Sequence, residues 1–283
     1  MQEQKKLAII TGADGDMGYE ETKAVAQKGF YTIMACYSPK LAEEKRLKLV
    51  EETGNQDIEI IGIDLANLAS VRFFVNTVRS RFNHLDLLMN NAGTMETGLH
   101  FTPDGIERTV SVNYVGPYLL TRLLLPMMSE GSRIVNMASC VYPLGRLDFP
   151  DFFLKGRRGN FHRVHIYSNT KLAITLFTLE LAKRVKQLGI TVNAADPGVV
   201  NTNIIRFQMF FDPLTDLFFR PFIRTPRQGA DTAIRLLLDE DKAGQTGTFN
   251  RSNHIIALGD KYINHPQMQE LWKQTEDIVA SFL

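Results

Sequence analysis

The chain has 283 residues, 44% of them hydrophobic, and its 32 Lys and Arg against 31 Asp and Glu leave a net charge of +1. That length and apolar content support one large domain over 1–283, while so even a balance supplies no field to gather nucleic acid or an anionic membrane surface. Met1 to Lys6 is polar and no apolar run approaches the roughly 18 residues of a membrane span, so a cytoplasmic protein is expected.

Leu7 to Ile10 is a short apolar run of the kind a buried parallel strand requires, and Thr11-Gly12-Ala13-Asp14-Gly15-Asp16-Met17-Gly18 follows it directly. A helix to about Lys28, stopped by Gly29, and a second strand, Thr32 to Cys36, complete a β-α-β unit. In that setting the glycine-bearing turn can offer the free N–H groups of a helix N-terminus to a phosphate. Ser38-Pro39 caps and opens a charged helix ending near Gly54. Ile58 to Ile63 is the third strand, with Asp64-Leu65 at its end, and Val71, Phe74, Val75, Val78 and Phe82 mark the next helix at 3 and 4 spacing.

Leu85 to Met89, the fourth strand, runs into Asn90-Asn91-Ala92-Gly93. One long helix is expected from Pro103 to Met128. Within it, Pro117 has no N–H to return to the carbonyl of Asn113, which would leave that carbonyl free for a water. Ile134 to Ala138 ends in Ser139, a Phe- and Arg-rich loop covers 145–165, and a helix from Tyr167 to Gly189 carries apolar residues on more than one face. That helix is buried on several sides or packs against another subunit. Ile190 to Ala195 is the sixth strand, ending in Asp196-Pro197-Gly198. Cys36 and Cys140 lack CxxC spacing and read as reduced structural thiols. The close pair His162 and His165 has no Cys or carboxylate companions, so no metal site is expected.

This alternation predicts an α/β fold, a Rossmann-type doubly wound, mostly parallel sheet with helices on both faces, whose strand ends gather at one rim. The pair Tyr167 and Lys171 lies one turn apart there. An ammonium beside a phenol favours the phenolate and would bring its pKa toward neutrality. Such pairs are also common on solvated helix faces.

The ordered set of marks, from the Thr-Gly loop at 11–18 through Asp64, Asn90-Asn91-Ala92-Gly93, Asn113, Ser139, Tyr167-x-x-x-Lys171 and Pro197-Gly198, resembles the short-chain dehydrogenase/reductase family over nearly the whole chain. Ser111-Val112-Asn113-Tyr114-Val115-Gly116 and the segment Phe222 to Ala230 are most similar to its retinol dehydrogenase branch. The resemblance implies an oxidoreductase in which Tyr167 is the general acid or base, Lys171 lowers its pKa and holds the nicotinamide ribose, Ser139 bonds the substrate oxygen and Asn113 supports a water relay. It implies cofactor contacts from Gly12, Asp14, Gly15, Asp16, Met17, Gly18, Tyr37, Ser38, Lys40, Asp64, Leu65, Asn91, Ala92, Gly93, Tyr167, Lys171, Pro197, Gly198, Val200 and Thr202.

The family's loop reads Thr-Gly-x-x-x-Gly-x-Gly, and Asp16 stands where its middle glycine belongs, adding bulk and negative charge beside a pyrophosphate. Weakened binding is expected, in a loop that Asp16 as an N-cap, or Gly15 by absorbing strain, still allows to fold. A scaffold or cofactor sensor that binds nucleotide feebly is therefore the alternative to an enzyme. Cys36-Tyr37-Ser38-Pro39-Lys40 carries no acidic residue to grip a ribose 2′-hydroxyl, which favours NADP(H) over NAD(H), with Ser38 and Lys40 as candidate phosphate partners. The aromatic-rich stretch within about 200–225 is expected to form a lid over a small lipophilic substrate. It could instead be core, a homodimer or homotetramer contact, or a membrane patch rimmed by Arg206, Arg220 and Arg224.

Overall fold

The computed structural model describes residues 5–149, 151–153, 161–200 and 224–283. The expected strands are present as β1 (Leu7–Thr11), β2 (Tyr31–Cys36), β3 (Ile58–Gly62), β4 (Leu87–Asn90), β5 (Arg133–Met137) and β6 (Thr191–Asp196). All five residues of β1 are buried. Its alternate side chains feed two cores: Leu7 and Ile9 enter one, Ala8 and Ile10 the other. A continuous apolar run is what a strand covered on both faces needs.

The sheet order is β3-β2-β1-β4-β5-β6-β7-β8. Because β1 lies between β2 and β4, the winding reverses there, and a crevice opens beyond the carboxyl ends of β1 and β4. Two short strands at one side of the sheet are not expected from the sequence. β7 (Phe249–Arg251) joins β6 in parallel and β8 (His254–Ile256) returns antiparallel. Ser252 and Asn253, at φ +52 and +67, make the tight turn between them.

The first helices, α1 (Asp16–Gln27), α2 (Pro39–Thr53) and α3 (Leu68–Arg79), fall where the periodicity puts them. Val71, Phe74, Val75 and Val78 are the buried stripe of α3. The single helix expected over Pro103–Met128 does not form. The chain turns at Gly105 (φ +73), and helix begins only with α4 (Arg108–Val110). A π turn at Ser111–Val115 follows, then α5 (Gly116–Leu124). Gly116 N–H returns to the Ser111 carbonyl, so the wider turn accommodates the N–H that Pro117 lacks. Asn113 sits inside it.

The helix α6 (Arg163–Val185) begins four residues before Tyr167, and α7 (Pro226–Leu238), α8 (Asp260–Ile263) and α9 (Met268–Val279) complete the described helices. α6 is covered by elements of its own chain. Trp272 of α9 lies over Phe177 with ring centroids 5.9 Å apart at 29°, and Tyr114 meets Phe177 edge-on with centroids 6.4 Å apart. Cys36 and Cys140 are free. No described helix is long and apolar enough to cross a membrane.

One core residue is chemically costly. Glu21 of α1 is fully buried, both carboxylate oxygens lack a partner, and burial holds its carboxyl well above the usual range. The folded chain therefore binds that proton more tightly than the unfolded chain. Its contribution is present at acid pH and is lost as pH climbs above the ordinary carboxylate range toward the folded-state value. Glu21→Gln is expected to leave denaturant stability unchanged near pH 4 and to raise it at pH 8 by on the order of 1–3 kcal/mol. Equal stability of the two proteins at both pH values would refute this.

Candidate active site

Two cavities meet at the switch point and share Met17, Asn91 and Gly93. The first, about 380 Å³, is lined by Gly12, Asp14, Gly15, Asp16, Met17 and Gly18 of the loop, Tyr37 after β2, Asp64-Leu65 after β3 and Asn91-Ala92-Gly93 after β4. The second, about 290 Å³, takes in Ser139, Tyr167, Lys171, Pro197, Gly198 and Val200.

The loop is shaped by two glycines in particular. Gly12 has φ +62, and a methyl group there would press on Ala92 at 3.1 Å. At Gly18 a Cβ would stand 2.1 Å from the Gly12 carbonyl oxygen and 2.9 Å from Ala13 Cα. Around this close approach Thr11 acts as a pin, its hydroxyl accepting from the backbone N–H groups of Asn91 and Ala92 at 3.0 Å. Asn91 Nδ2 donates to the carbonyls of Thr11 and Gly12 at 3.0 and 3.2 Å.

Asp16 disturbs none of this. It is exposed, opens α1 as its first helical residue, and favours the positive end of the helix. The expected N-cap role belongs to Gly15 instead, whose φ of −74° and ψ of 167° are ordinary extended backbone, so Gly15 absorbs no strain either. The carboxylate does line the first cavity, so its charge faces whatever anion enters.

Ser38 and Lys40, expected to hold a 2′-phosphate, are not among the residues lining that cavity. The cations that do line it are Lys45 and Arg108. Lys45 Nζ donates to the Asp14 carbonyl, reaching from α2 back to the loop. Arg108 lies 5.9 Å from the centroid of the Tyr37 ring and pairs with Glu96 at 3.2 Å. Both are unremarkable in sequence, since each sits where a solvated helix also carries a cation.

In the second cavity Tyr167 and Lys171 share one face of α6, and Lys171 Nζ stands 5.4 Å from the tyrosine ring centroid. The ammonium donates to the Met137 carbonyl at 2.9 Å. Burial pushes Tyr167 up to about 12, against which the Ser139 hydrogen bond pulls it down and Cys140 and Asp196 push it further up. Lys171 is driven down to about 8 by burial, with Asp196 opposing. The expectation that Lys171 would bring the phenol toward neutrality is therefore corrected: with its ammonium committed to Met137, burial governs both groups.

Asn113 lines neither cavity. Its Oδ1 accepts from Thr94 N–H at 2.7 Å and its Nδ2 donates to the Thr94 carbonyl at 2.8 Å and to Thr170 Oγ1 at 3.2 Å. It thus ties the segment following Gly93 to the helix carrying Lys171. Asn90 is buried and bonds Asn136 and Thr121 below the rim at 2.8 and 3.0 Å. Thr202 and most of the expected lid over 200–225 lie outside the described residues. Among the described residues no cluster of three or more His, Cys, Asp or Glu could hold a metal ion.

A family model described as short chain dehydrogenase matches residues 6–149 and 154–208. Retinol dehydrogenase 11 of Mus musculus is 35% identical over 278 residues, spanning 97% of this chain and 86% of that protein. The Homo sapiens protein of the same name is 34% identical over the same shares. Dehydrogenase/reductase SDR family member 13 of Homo sapiens is 32% identical, covering 97% of this chain and 73% of that protein. Among solved structures, an uncharacterized protein from Mycobacterium paratuberculosis superposes with a TM-score of 0.77 and 26% identity over 96% of this chain and 92% of the other. A blue fluorescent protein from a metagenomic library, solved with NADPH, gives 0.69 and 25% over 87% and 95%.

Proposed function

This chain belongs to the short-chain dehydrogenase family and is an oxidoreductase, and on that footing we propose that it moves a hydride between NADP(H) and a lipophilic alcohol, aldehyde or ketone. The observation that carries the reading is the convergence of Ser139, Tyr167 and Lys171 on one wall of a cavity continuous with a glycine-lined cleft.

The cleft suits a dinucleotide. Gly12 and Gly18 let the loop close tightly on Ala92 and on itself along the cleft, and the first-turn N–H groups of α1 have no partners within the helix to bond. Those groups would hold the pyrophosphate, with Asp64-Leu65 and Asn91-Ala92-Gly93 flanking the cofactor and Lys171 beside its nicotinamide ribose. The cofactor when bound supplies the hydride. For the chain's own part, Ser139 donates to the substrate oxygen as charge gathers there, and the Tyr167 hydroxyl gives or takes the proton on that oxygen. Asn113 fixes Thr94 and Thr170 around Lys171, a positioning role that its paired side chain supports. The rest of the cavity, including Met95, Met137, Val141, Val164 and Val199, is apolar and favours a lipophilic substrate.

The preference for NADP(H) rests on the missing acid after β2 and on Lys45 and Arg108. Lys45→Ala is expected to weaken NADPH binding by about tenfold or more while changing NADH affinity far less, since a charge-assisted contact is worth about 1.5–3 kcal/mol. Equal losses for both nucleotides, by calorimetric titration, would show that Lys45 only supports the loop. The scaffold reading rests on the Asp16 charge facing the cleft; the retained Ser139, Tyr167 and Lys171 wall supports the enzyme instead. Turnover of a panel of aldehydes and ketones of graded chain length with NADPH tests the substrate class. Preference for short hydrophilic members would oppose it.

A further inference from the structure

Asp196, the last residue of β6, is fully buried and belongs to no step described above. Its Oδ1 accepts from Gly198 N–H at 2.9 Å, and its Oδ2 accepts from Arg251 Nε at 2.5 Å. The registers explain this setting. β6 pairs Asp196 with Arg251 across to β7, while on its other side Met137 of β5 pairs with Ala195, and Ala138 N–H donates to the Ala195 carbonyl at 2.8 Å. The carboxylate thus lies beside the strand end that leads to Ser139 and Cys140 and supplies the Met137 carbonyl to Lys171. Arg251 by contrast keeps 37% of its side chain exposed. A buried anion covered by a half-exposed cation is an incompletely neutralised pair, and its residual field falls on whatever lines the adjoining cavity.

We propose that the Asp196–Arg251 pair is a positioning element of the reaction cavity, whose net field acts beside burial to bias Cys140 and its neighbours on the cavity wall toward their protonated forms. This rests on the reading of Tyr167 as acid or base only for its effect on turnover. Four groups face the pair. Tyr167 and Lys171 come from α6, and Cys140 and Tyr142 from the turn after β5; Asp196 pushes each of them toward the protonated form. Arg251 pulls Cys140 and Tyr142 the other way. At Cys140 the nearer Asp196 outweighs Arg251, whereas at Tyr142 Arg251 weighs more. At Tyr167 and Lys171 the carboxylate favours the protonated forms that carbonyl reduction uses, beside the larger effect of burial.

Cys140 supplies a readout independent of turnover. It is half-buried in the cavity wall, whereas Cys36 is fully buried with its thiol pushed up to about 12. The rate of iodoacetamide alkylation against pH, in the full chain with a Cys140→Ser control, reports the thiol midpoint. Asp196→Asn retains the oxygen that accepts from Gly198 while removing the charge, and should displace that midpoint toward acid by on the order of half a pH unit or more. Asp196→Asn with Arg251→Gln, which leaves no unpaired charge and guards against misfolding of the single variant, should fall between it and the parent. The alkaline limb of carbonyl reduction should move in the same order. Coincident thiol midpoints in the three proteins, or slower reaction at every pH with no displacement, would overturn the proposal and leave Asp196 a structural turn residue. Ordered thiol midpoints in a protein without NADPH-dependent turnover would uphold the pair's field and refute the oxidoreductase substrate reading instead.

Discussion

Replacing Tyr167 by Phe should reduce turnover by at least about 10²–10⁴-fold, the span that a positioned proton donor supplies, while leaving NADPH affinity within a few-fold of the parent. The ring would remain over Lys171, so packing survives, and only the hydroxyl that bonds Ser139 is lost. The pH dependence follows from the two shifted groups. A phenol pushed up to about 12 stays protonated through neutrality, as carbonyl reduction requires, and a lysine brought down to about 8 keeps its proton at pH 7 and gives it up above that value. Reduction should therefore hold steady through neutral pH and decline on the alkaline side as Lys171 discharges. Steady-state rates across pH for parent and variant, with a calorimetric NADPH titration of each, test both statements. Substantial turnover in Tyr167→Phe would remove the tyrosine from the chemistry.

Gly18→Ala should abolish measurable nucleotide binding and destabilise the fold by about 1–3 kcal/mol, the usual cost of overpacking. The added methyl group would stand 2.1 Å from a backbone oxygen and 2.8 Å from Asn91 Nδ2, so the loop that approaches β4 must open. Opening it would pull apart the contacts that Thr11 and Asn91 make across that gap. Asp16→Gly is the informative contrast. Asp16 is exposed and its backbone needs no glycine, so the exchange should cost little stability and should raise NADPH affinity by removing one negative charge from the cavity wall. Thermal melts and titrations of the two variants distinguish close packing from charge. Similar binding losses in both would mean that the loop is simply intolerant of change.

What the sequence made legible follows from what packing demands of it. Strands buried on both faces favour apolar runs, so Leu7–Ile10 stands out while the buried β6 carries Asn193 and Asp196 within it, and the residues after both are placed at the rim by topology. β7 and β8 have three residues each and no such run; pairing with β6 and a turn at Ser252-Asn253 define them, and neither leaves a periodic trace. The π turn around Asn113 was half visible. Pro117 announced a missing hydrogen bond, but sequence could not say that the backbone would widen beside it. Spacing likewise put Tyr167 and Lys171 on one face without fixing the rotamer that sends the ammonium to Met137. Lys45 and Arg108 escaped notice because a cation facing a cleft and one facing water look identical in a charged helix.

On this reading the Ser139, Tyr167 and Lys171 wall and the glycine-lined cleft act as one site on NADP(H). That is tested most directly by mixing the full chain, in excess over NADPH, with a long-chain aldehyde and following nicotinamide absorbance in a single turnover. The parent should oxidise the bound NADPH completely and form the corresponding alcohol, and Tyr167→Phe should bind the nucleotide yet leave it reduced. Failure of the parent to bind NADPH, or binding without oxidation across a panel of lipophilic aldehydes and ketones, would contradict the account.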